Sequence, residues 1–502
     1  MNEIAGADVV AGTDDRSPRA IKGVLVLAVL VGVALRFYFV DSGLWYDEIV
    51  TLIDSVRMPL AQIVTHFPSN NDHPLYSVLA RLSIVAFGEH AWSLRLPAVI
   101  FGVAALPMLY VFGTQITSRF EAVAATLLLA TSYHHIWFSQ NARGYTILLF
   151  CALLATHLLL IGLRKNRRAA YVGFAVVSGL AAYTHLTMVL FTLGQALVVT
   201  GHLLTRRGAH VELRDWFNPA LGFALAGVVT LVLYAPLLLD VQKFFGGAPP
   251  AAARVATTGW AILEMLRGLQ LGYATSGVIA LGAALFLVGS WSYLRQSPIV
   301  LALFVAPGAV LLAATILLQR PTFPRFFFFL AGFALLIIVR GIVVAANWIA
   351  RGLPSGAIGA RLRPLLPAAS IAAAAVVSLL ALPAGYRYPK QDFEGALKFL
   401  AAHTASDVVV LAGIGVTVPF QKYYGKAWPR LASADQLTAA RQHGNDVWLA
   451  YTFRHYIEAL EPELMREVLT HCPTVRTFPG TLAGGSIVVK KCRAAEEPAR
   501  PK

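Results

Sequence analysis

Residues 24–40, VLVLAVLVGVALRFYFV, carry no charge until Arg36. Such a run is long enough to cross a hydrocarbon core about 30 Å thick as an α-helix, which takes roughly 17–25 residues. Leu44-Trp45-Tyr46-Asp47-Glu48-Ile49 follows directly. An acidic pair at a membrane exit, with many more apolar runs beyond it, points to chemistry at the bilayer surface.

The rest of the chain repeats the pattern. Apolar residues make up 57% of 502 positions and charged residues 13%, a composition foreign to soluble globular chains. Further apolar runs occupy residues 92–116, 120–138, 144–163, 169–184, 186–204, 219–239, 275–294, 298–318, 326–350 and 364–383. With the first run they predict an α-helical polytopic membrane protein of about eleven spans, because lipid satisfies no backbone polar group and the alternating segments of a β-barrel are missing. Arg16, Arg19 and Lys22 precede the first span as in a secretory signal. No small-residue cleavage site follows, so residues 1–22 read as a cytoplasmic tail and the span as an uncleaved anchor.

Residues 73–87 are shorter and carry Arg81. Basic residues collect in cytoplasmic loops, and eleven crossings from a cytoplasmic start place Arg119, Arg164 to Arg168, Arg206 with Arg207, Arg295, and Arg351 with Arg361 and Arg363 inside. A twelfth crossing would turn Arg164 to Arg168 outward, so residues 73–87 read as an interfacial helix in a first outer loop, 41–91. The same topology gathers Arg36, Asp47, Glu48, Asp54, Asp72, His73, His134, His135, Gln140, Asn141, Arg143, His185, Asp240, Arg320 and Arg325 on the outer side. Ionisable groups near lipid are costly unless paired or hydrated, which argues for a polar cavity opening outward from the membrane part, residues 23–384.

Residues 385–502 lack long apolar runs and form a small extracytoplasmic α/β domain, with helices over 391–402 and 457–469 and strands over 407–412, 447–452 and 486–490. Cys472 and Cys492 can pair outside the cytoplasm or stand as two thiols. The net charge of +15 matches inside loops facing anionic headgroups and does not indicate nucleic acid.

Several outer residues have chemical uses and simpler local explanations. Asp47 can act as a base, with Glu48 beside it as a second acid pointing elsewhere; an acidic pair also suits the start of a helix over 49–56. Asp72-His73-Pro74 can position an acceptor or contribute to a metal site, although a hydrated turn is by a wide margin the commoner explanation of an Asp before His-Pro. A divalent metal stays open, since His134, His135 and His185 lie on distant segments and metal sites want three or four ligands. Arg143, in Ser139-Gln140-Asn141-Ala142-Arg143-Gly144-Tyr145, can fork onto a phosphate or snorkel. Arg320 and Arg325 oppose the inside bias of basic residues, which favours an anionic ligand.

Taken in order, Leu44-Trp45-Tyr46-Asp47-Glu48, Asp72-His73-Pro74-Leu75-Tyr76, Ser93-Leu94-Arg95-Leu96-Pro97, Phe138-Ser139-Gln140-Asn141-Ala142-Arg143-Gly144-Tyr145 and Arg325-Phe326 resemble membrane glycosyltransferases of the GT-C superfamily. The likeness is to the protein O-mannosyltransferase and lipid A aminoarabinose transferase group of glycosyltransferase family 39, over residues 20–345. It implies a sugar donor on a polyprenyl phosphate, and by motif position it implies that Asp47 is the catalytic aspartate, with Glu48 next to it. Arg143, Arg325 and Arg36 would hold the donor phosphate; Asp72, His73, Gln140, Asn141, Tyr145 and His185 would organise the site or meet the acceptor. Asn141 stands where many relatives carry an acid, and Tyr183-Thr184-His185 resembles the Thr-His end of a later span. The expected reaction is inverting transfer to a hydroxyl of a glycan, lipid or protein on the periplasmic side of the inner membrane, in cell-envelope glycan or lipopolysaccharide modification. A transporter or flippase of a lipid-linked or anionic substrate is the alternative, although no repeated halves are visible.

Overall fold

The computed structural model describes residues 18–67, 72–205, 212–247, 255–273, 275–354, 356–404, 408–442 and 446–493. Arg16, Arg206, Arg207 and Asp407 lie outside the described residues.

Among the described residues nine helical stretches are long and apolar enough to cross a membrane: Pro18–Phe37, Ala91–Gly113, Tyr145–Lys165, Thr187–Thr205, Leu213–Phe244, Ser276–Gln296, Pro298–Leu317, Pro324–Arg351 and Leu366–Tyr386. They carry large exposed apolar side chains, among them Leu30, Leu231, Leu287 and Leu380, as lipid-facing surfaces do. Two further expected spans are shorter helices. Arg168–Thr184 has 17 residues. The run 120–138 divides into Arg119–Thr131 and Tyr133–Ser139, because Ser132 adopts an extended backbone and its hydroxyl accepts from the His135 N–H at 3.4 Å, the usual N-cap bond. Residues 73–87 form the 14-residue apolar helix Pro74–Phe87, with Pro74 at its start.

Close approach and buried polar bonds fasten the helices to one another. Gly289 and Gly341 let Ser276–Gln296 and Ala331–Arg351 touch backbone to backbone; a Cβ at either would lie 1.9 Å from a carbonyl oxygen of the other helix, the small-residue contact typical of membrane packing. Arg340 pairs with Glu121 at 2.8 Å, and Gln195 donates to Thr156 at 2.8 Å.

A helix absent from the sequence expectation, Thr258–Tyr273, contacts the last membrane helix and the turn Pro324–Leu330. Glu264 and Arg267 interrupt its apolar residues, which hid it from a hydropathy reading.

Beyond Tyr386, helix Phe393–His403 packs on a five-stranded sheet of order β2-β1-β3-β5-β4, with β1 Val408–Ala412, β2 Arg430–Leu431, β3 Val447–Tyr451, β4 Thr474–Phe478 and β5 Ile487–Cys492. β1 runs parallel to β2 and β3, while β5 is antiparallel to β3 and β4. β3 is wholly buried, in keeping with its VWLAY run. β4 is exposed apart from Phe478, so its sequence carried little apolar signal. The expected helix over 457–469 is instead two, Arg454–Leu460 and Pro462–His471, because Pro462 cannot continue a preceding helix. Cys472 and Cys492 are disulfide-bonded.

Candidate active site

The first outer loop is built around a buried ion pair. Glu48, third residue of helix Tyr46–Thr51, accepts from the Trp45 N–H at 3.3 Å, capping its own helix start. Its carboxylate is fully buried and also accepts from Arg95 Nε at 2.7 Å, Arg95 Nη2 at 2.5 Å and the Ala142 N–H at 2.7 Å. Arg95 spends its remaining donors on the carbonyls of Val40, Ser42 and Gly43. Burial pushes the Glu48 carboxyl up, but Arg95, Lys390 and the Ala142 N–H more than offset it and hold it below the usual carboxylate range. The loop leaving the membrane, the helix of Arg95 and the segment 139–145 are thereby joined through one carboxylate.

Asp47 points a different way, as adjacent positions do. Its Oδ2 lies 3.7 Å from Arg325 Nη2, at the mouth of the site, and the Arg325 side chain keeps 28% of its surface exposed. Phe323 lies under the Arg325 guanidinium, 4.2 Å from its ring centroid.

Beside this pair lies a second cluster. Arg143, buried, reaches Thr51 Oγ1 at 3.2 Å and His73 Nε2 at 2.7 Å. Burial, with Arg143 close by, holds the His73 imidazole well below its ordinary value, so the ring is neutral and Nε2 accepts from the guanidinium. The His73 ring sits 5.2 Å from Tyr145 and 4.8 Å from His185, and His185 sits 5.1 Å from Phe326. Asp72 accepts from Ser55, Ser77 and the His73 N–H; burial pushes its carboxyl up to about 6.

Arg36, Gln140 and Asn141 have different partners. Arg36 donates to the carbonyls of Gly32, Leu129 and Ala130 and meets His135, tying the first helix to Arg119–Thr131. Gln140 donates to the carbonyls of Leu35, Arg36 and Tyr38. Asn141 accepts from the Trp45 indole at 3.0 Å. No group of three or more His, Cys, Asp or Glu able to hold a metal is found among the described residues.

Three residues outside the sequence reading of the site belong to its surroundings. Arg95 was visible as a lone cation inside an apolar run, a signal in itself. Lys390 donates to the Gln140 carbonyl and lies 5.2 Å from the Trp137 ring; burial pushes its ammonium down to about 7, against the pull of Glu48. Tyr456, from helix Arg454–Leu460, lies near enough to interact electrostatically with both Asp47 and Arg325, a proximity that no local sequence pattern encodes.

Comparison with known proteins identifies the fold that carries this arrangement. Residues 71–239 match the family model described as dolichyl-phosphate-mannose-protein mannosyltransferase. That stretch contains Asp72, His73, Arg143 and His185, and neither Asp47 nor Arg325. No curated protein matches by sequence. Among solved structures, ArnT from Cupriavidus metallidurans in the apo state aligns with a TM-score of 0.54 at 16% identity, over 94% of this chain and 98% of that one. The same protein bound to undecaprenyl phosphate gives 0.52 at 16% identity, over 96% and 99%. The archaeal oligosaccharyltransferase AglB from Archaeoglobus fulgidus, in complex with an inhibitory peptide and a dolichol-phosphate, gives 0.57 at 11% identity, over 96% and 75%. This chain has the GT-C glycosyltransferase fold. Within that fold, the carboxylate of Asp47 and the cations Arg325 and Arg143 stand at one end of the membrane helices, under the sheet-bearing region: Gln391 accepts from the Tyr46 N–H at 2.9 Å, directly beside Asp47.

Proposed function

We propose that this protein transfers a sugar from a polyprenyl phosphate to an acceptor hydroxyl, with inversion at the anomeric carbon, on the extracytoplasmic face of the inner membrane, serving cell-envelope glycan or lipopolysaccharide modification. The observation that carries the reading is the 3.7 Å pairing of Asp47 with Arg325, a base and an anion receptor within reach of one reacting centre. A phosphate arriving beside Arg325 takes up its donors and releases Asp47, which then removes the acceptor proton as the hydroxyl oxygen attacks the anomeric carbon. The bond to the phosphate oxygen breaks, and the phosphate leaves as an anion stabilised by Arg325, with Arg143 behind it. Arg36 is committed to three backbone carbonyls, and Glu48 to Arg95, so both are assigned positioning roles. His73 and Tyr145 orient Arg143, with the His185 ring packed beside both; Asp72 anchors the His73 N–H.

An apolar cavity of about 400 Å³ supports a lipid-borne donor. Phe286, Phe304, Leu312, Phe327 and Phe333 line it together with Thr322, and it opens between membrane helices a few residues from Arg325, where an isoprenoid chain can lie with its phosphate at the guanidinium. Proteoliposomes supplied with radiolabelled polyprenyl-phosphate sugars test the reading directly. Label moving to an acceptor with release of polyprenyl phosphate is the expected result; binding of undecaprenyl phosphate with no transfer from any donor favours the transporter instead.

Arg325→Ala is expected to lower kcat/KM for the donor about 10- to 100-fold, since a hydrogen bond to a charged group is worth about 1.5–3 kcal/mol, and to leave the acceptor KM nearly constant. Equal losses for donor and acceptor would remove the phosphate contact from Arg325.

Orientation is open to chemical labelling. Cys151 is buried and the other two cysteines are bonded, so a single introduced thiol reports alone. A membrane-impermeant maleimide applied from outside is expected to modify Val241→Cys and spare Asn166→Cys. The opposite pattern inverts the topology and moves Asp47 to the cytoplasmic face. The disulfide of Cys472 and Cys492 supports the outward assignment, disulfides being rare in reducing compartments.

A further inference from the structure

The Asp47–Arg325 pair lies within a collar of aromatic rings drawn from distant parts of the chain. From Arg325 the contacts run to Phe323, then to Trp260 of helix Thr258–Tyr273 at 5.9 Å, then to His455, stacked on Trp260 at 5.7 Å with planes 25° apart. His455 meets Tyr456 at 4.6 Å, Tyr456 meets Phe453 at 6.2 Å, and Phe453 meets Tyr46 edge-on at 6.1 Å. Tyr46 adjoins Asp47 in the chain, which closes the circuit.

Two features separate this collar from ordinary packing. Phe453 holds a φ of +52°, a left-handed conformation that a bulky residue adopts rarely and that clusters at functional sites. It turns the chain between β3 and helix Arg454–Leu460, and the Gly484 carbonyl fixes the turn by accepting from the Phe453 N–H at 3.2 Å. Second, the rings are not sealed into a core. Tyr46, Trp260, Phe453, His455 and Tyr456 are each only half-buried, while His455 Nε2 is buried and has no hydrogen-bond partner. Glu264, on the helix of Trp260, interacts electrostatically with both His455 and Tyr456.

Half-buried ring faces next to the unsatisfied His455 Nε2 match one class of molecule. A sugar ring offers a flat C–H face to stack on an aromatic and a rim of hydroxyls to hydrogen-bond beside it. A lipid alcohol has an apolar chain for the rings but no rim of hydroxyls to follow them, and a peptide would seek an unpaired strand edge for its backbone, which this collar does not provide. We propose that Trp260, Phe453, His455 and Tyr456 form the acceptor subsite, and that the acceptor is a saccharide whose ring stacks in the collar with one hydroxyl directed at Asp47. This assignment rests on the reading of Asp47 as the base, and it gives the region after Tyr386 a direct part in choosing the substrate.

The test uses the full-length protein in nanodiscs and needs no turnover. Saturation-transfer NMR is run with methyl glycosides and disaccharides of mannose, glucose, galactose, arabinose and N-acetylglucosamine, with a serine peptide and octanol as counter-probes. At least one saccharide is expected to bind through its ring protons. Tyr456→Ala and Trp260→Ala should each weaken it about tenfold, the scale of a lost aromatic stack; Tyr456→Phe, which keeps the ring, should retain most of the affinity. Undecaprenyl phosphate should bind all three variants as it binds the parent. Failure of every saccharide to bind, binding that survives Tyr456→Ala combined with Trp260→Ala, or parallel loss of undecaprenyl phosphate binding would overturn the assignment. Turnover that persists in Asp47→Asn while the saccharide response remains ring-dependent would instead remove the base and leave the collar standing.

Discussion

Asp47→Asn is expected to lower sugar transfer by about 10²- to 10⁴-fold, the range that a positioned general base contributes, with undecaprenyl phosphate binding at least as tightly as to the parent. The substitution keeps shape and removes charge. At 3.7 Å from Arg325 the carboxylate stands opposite the guanidinium, and asparagine keeps its size and its capacity to accept a hydrogen bond there. Arg325, relieved of its anion, is left more available to a phosphate. A fall in kcat with unchanged or improved donor affinity is therefore the signature of a base, and differs from that of a donor-binding residue, whose loss raises the donor KM. Transfer by Asp47→Asn at a rate comparable to the parent would falsify the base assignment, whatever the acceptor proves to be.

Hydropathy is a local property, and the features that depend on it were legible in the sequence. The membrane helices follow from runs of apolar residues, and Asp47, Arg143 and Arg325 stood out as charges at their ends. Features set by pairing across the chain were not. Glu48 looked like a second acid beside Asp47 because nothing in LWYDE says that Arg95, 47 residues on, will take both of its oxygens. The run 120–138 read as one span because a single serine carries little weight in a hydropathy average, although its hydroxyl suffices to start a new helix. Thr258–Tyr273 carries Glu264 and Arg267 among its apolar residues, and these charges concealed it. Tyr456 and Lys390 reach the site from beyond the last membrane helix, and only the fold of that later region brings them near Asp47 and Glu48.

Arg95→Met is expected to destabilise the protein by about 3–5 kcal/mol, the usual consequence of stranding one member of a buried ion pair. Both side chains are wholly buried, so Glu48 without Arg95 has neither water nor an adequate counter-charge, and the Val40–Gly43 carbonyls lose their donors. The pH dependence has a defined sign. Glu48 is held below the usual carboxylate range when folded, so its contribution is present at neutral pH and is lost as pH falls through that lowered value. Arg95→Met should therefore narrow its stability gap from the parent on acidification. Pairing Arg95→Met with Glu48→Leu should recover part of the loss, since two apolar groups replace two charges. Thermal unfolding of the two single variants and the double variant completes the cycle, and transfer should follow the folded fraction. Glu48→Gln that unfolds at the parent's temperature, binds undecaprenyl phosphate normally and transfers no sugar would show that Glu48 takes part in the chemistry and does more than hold Asp47 in place.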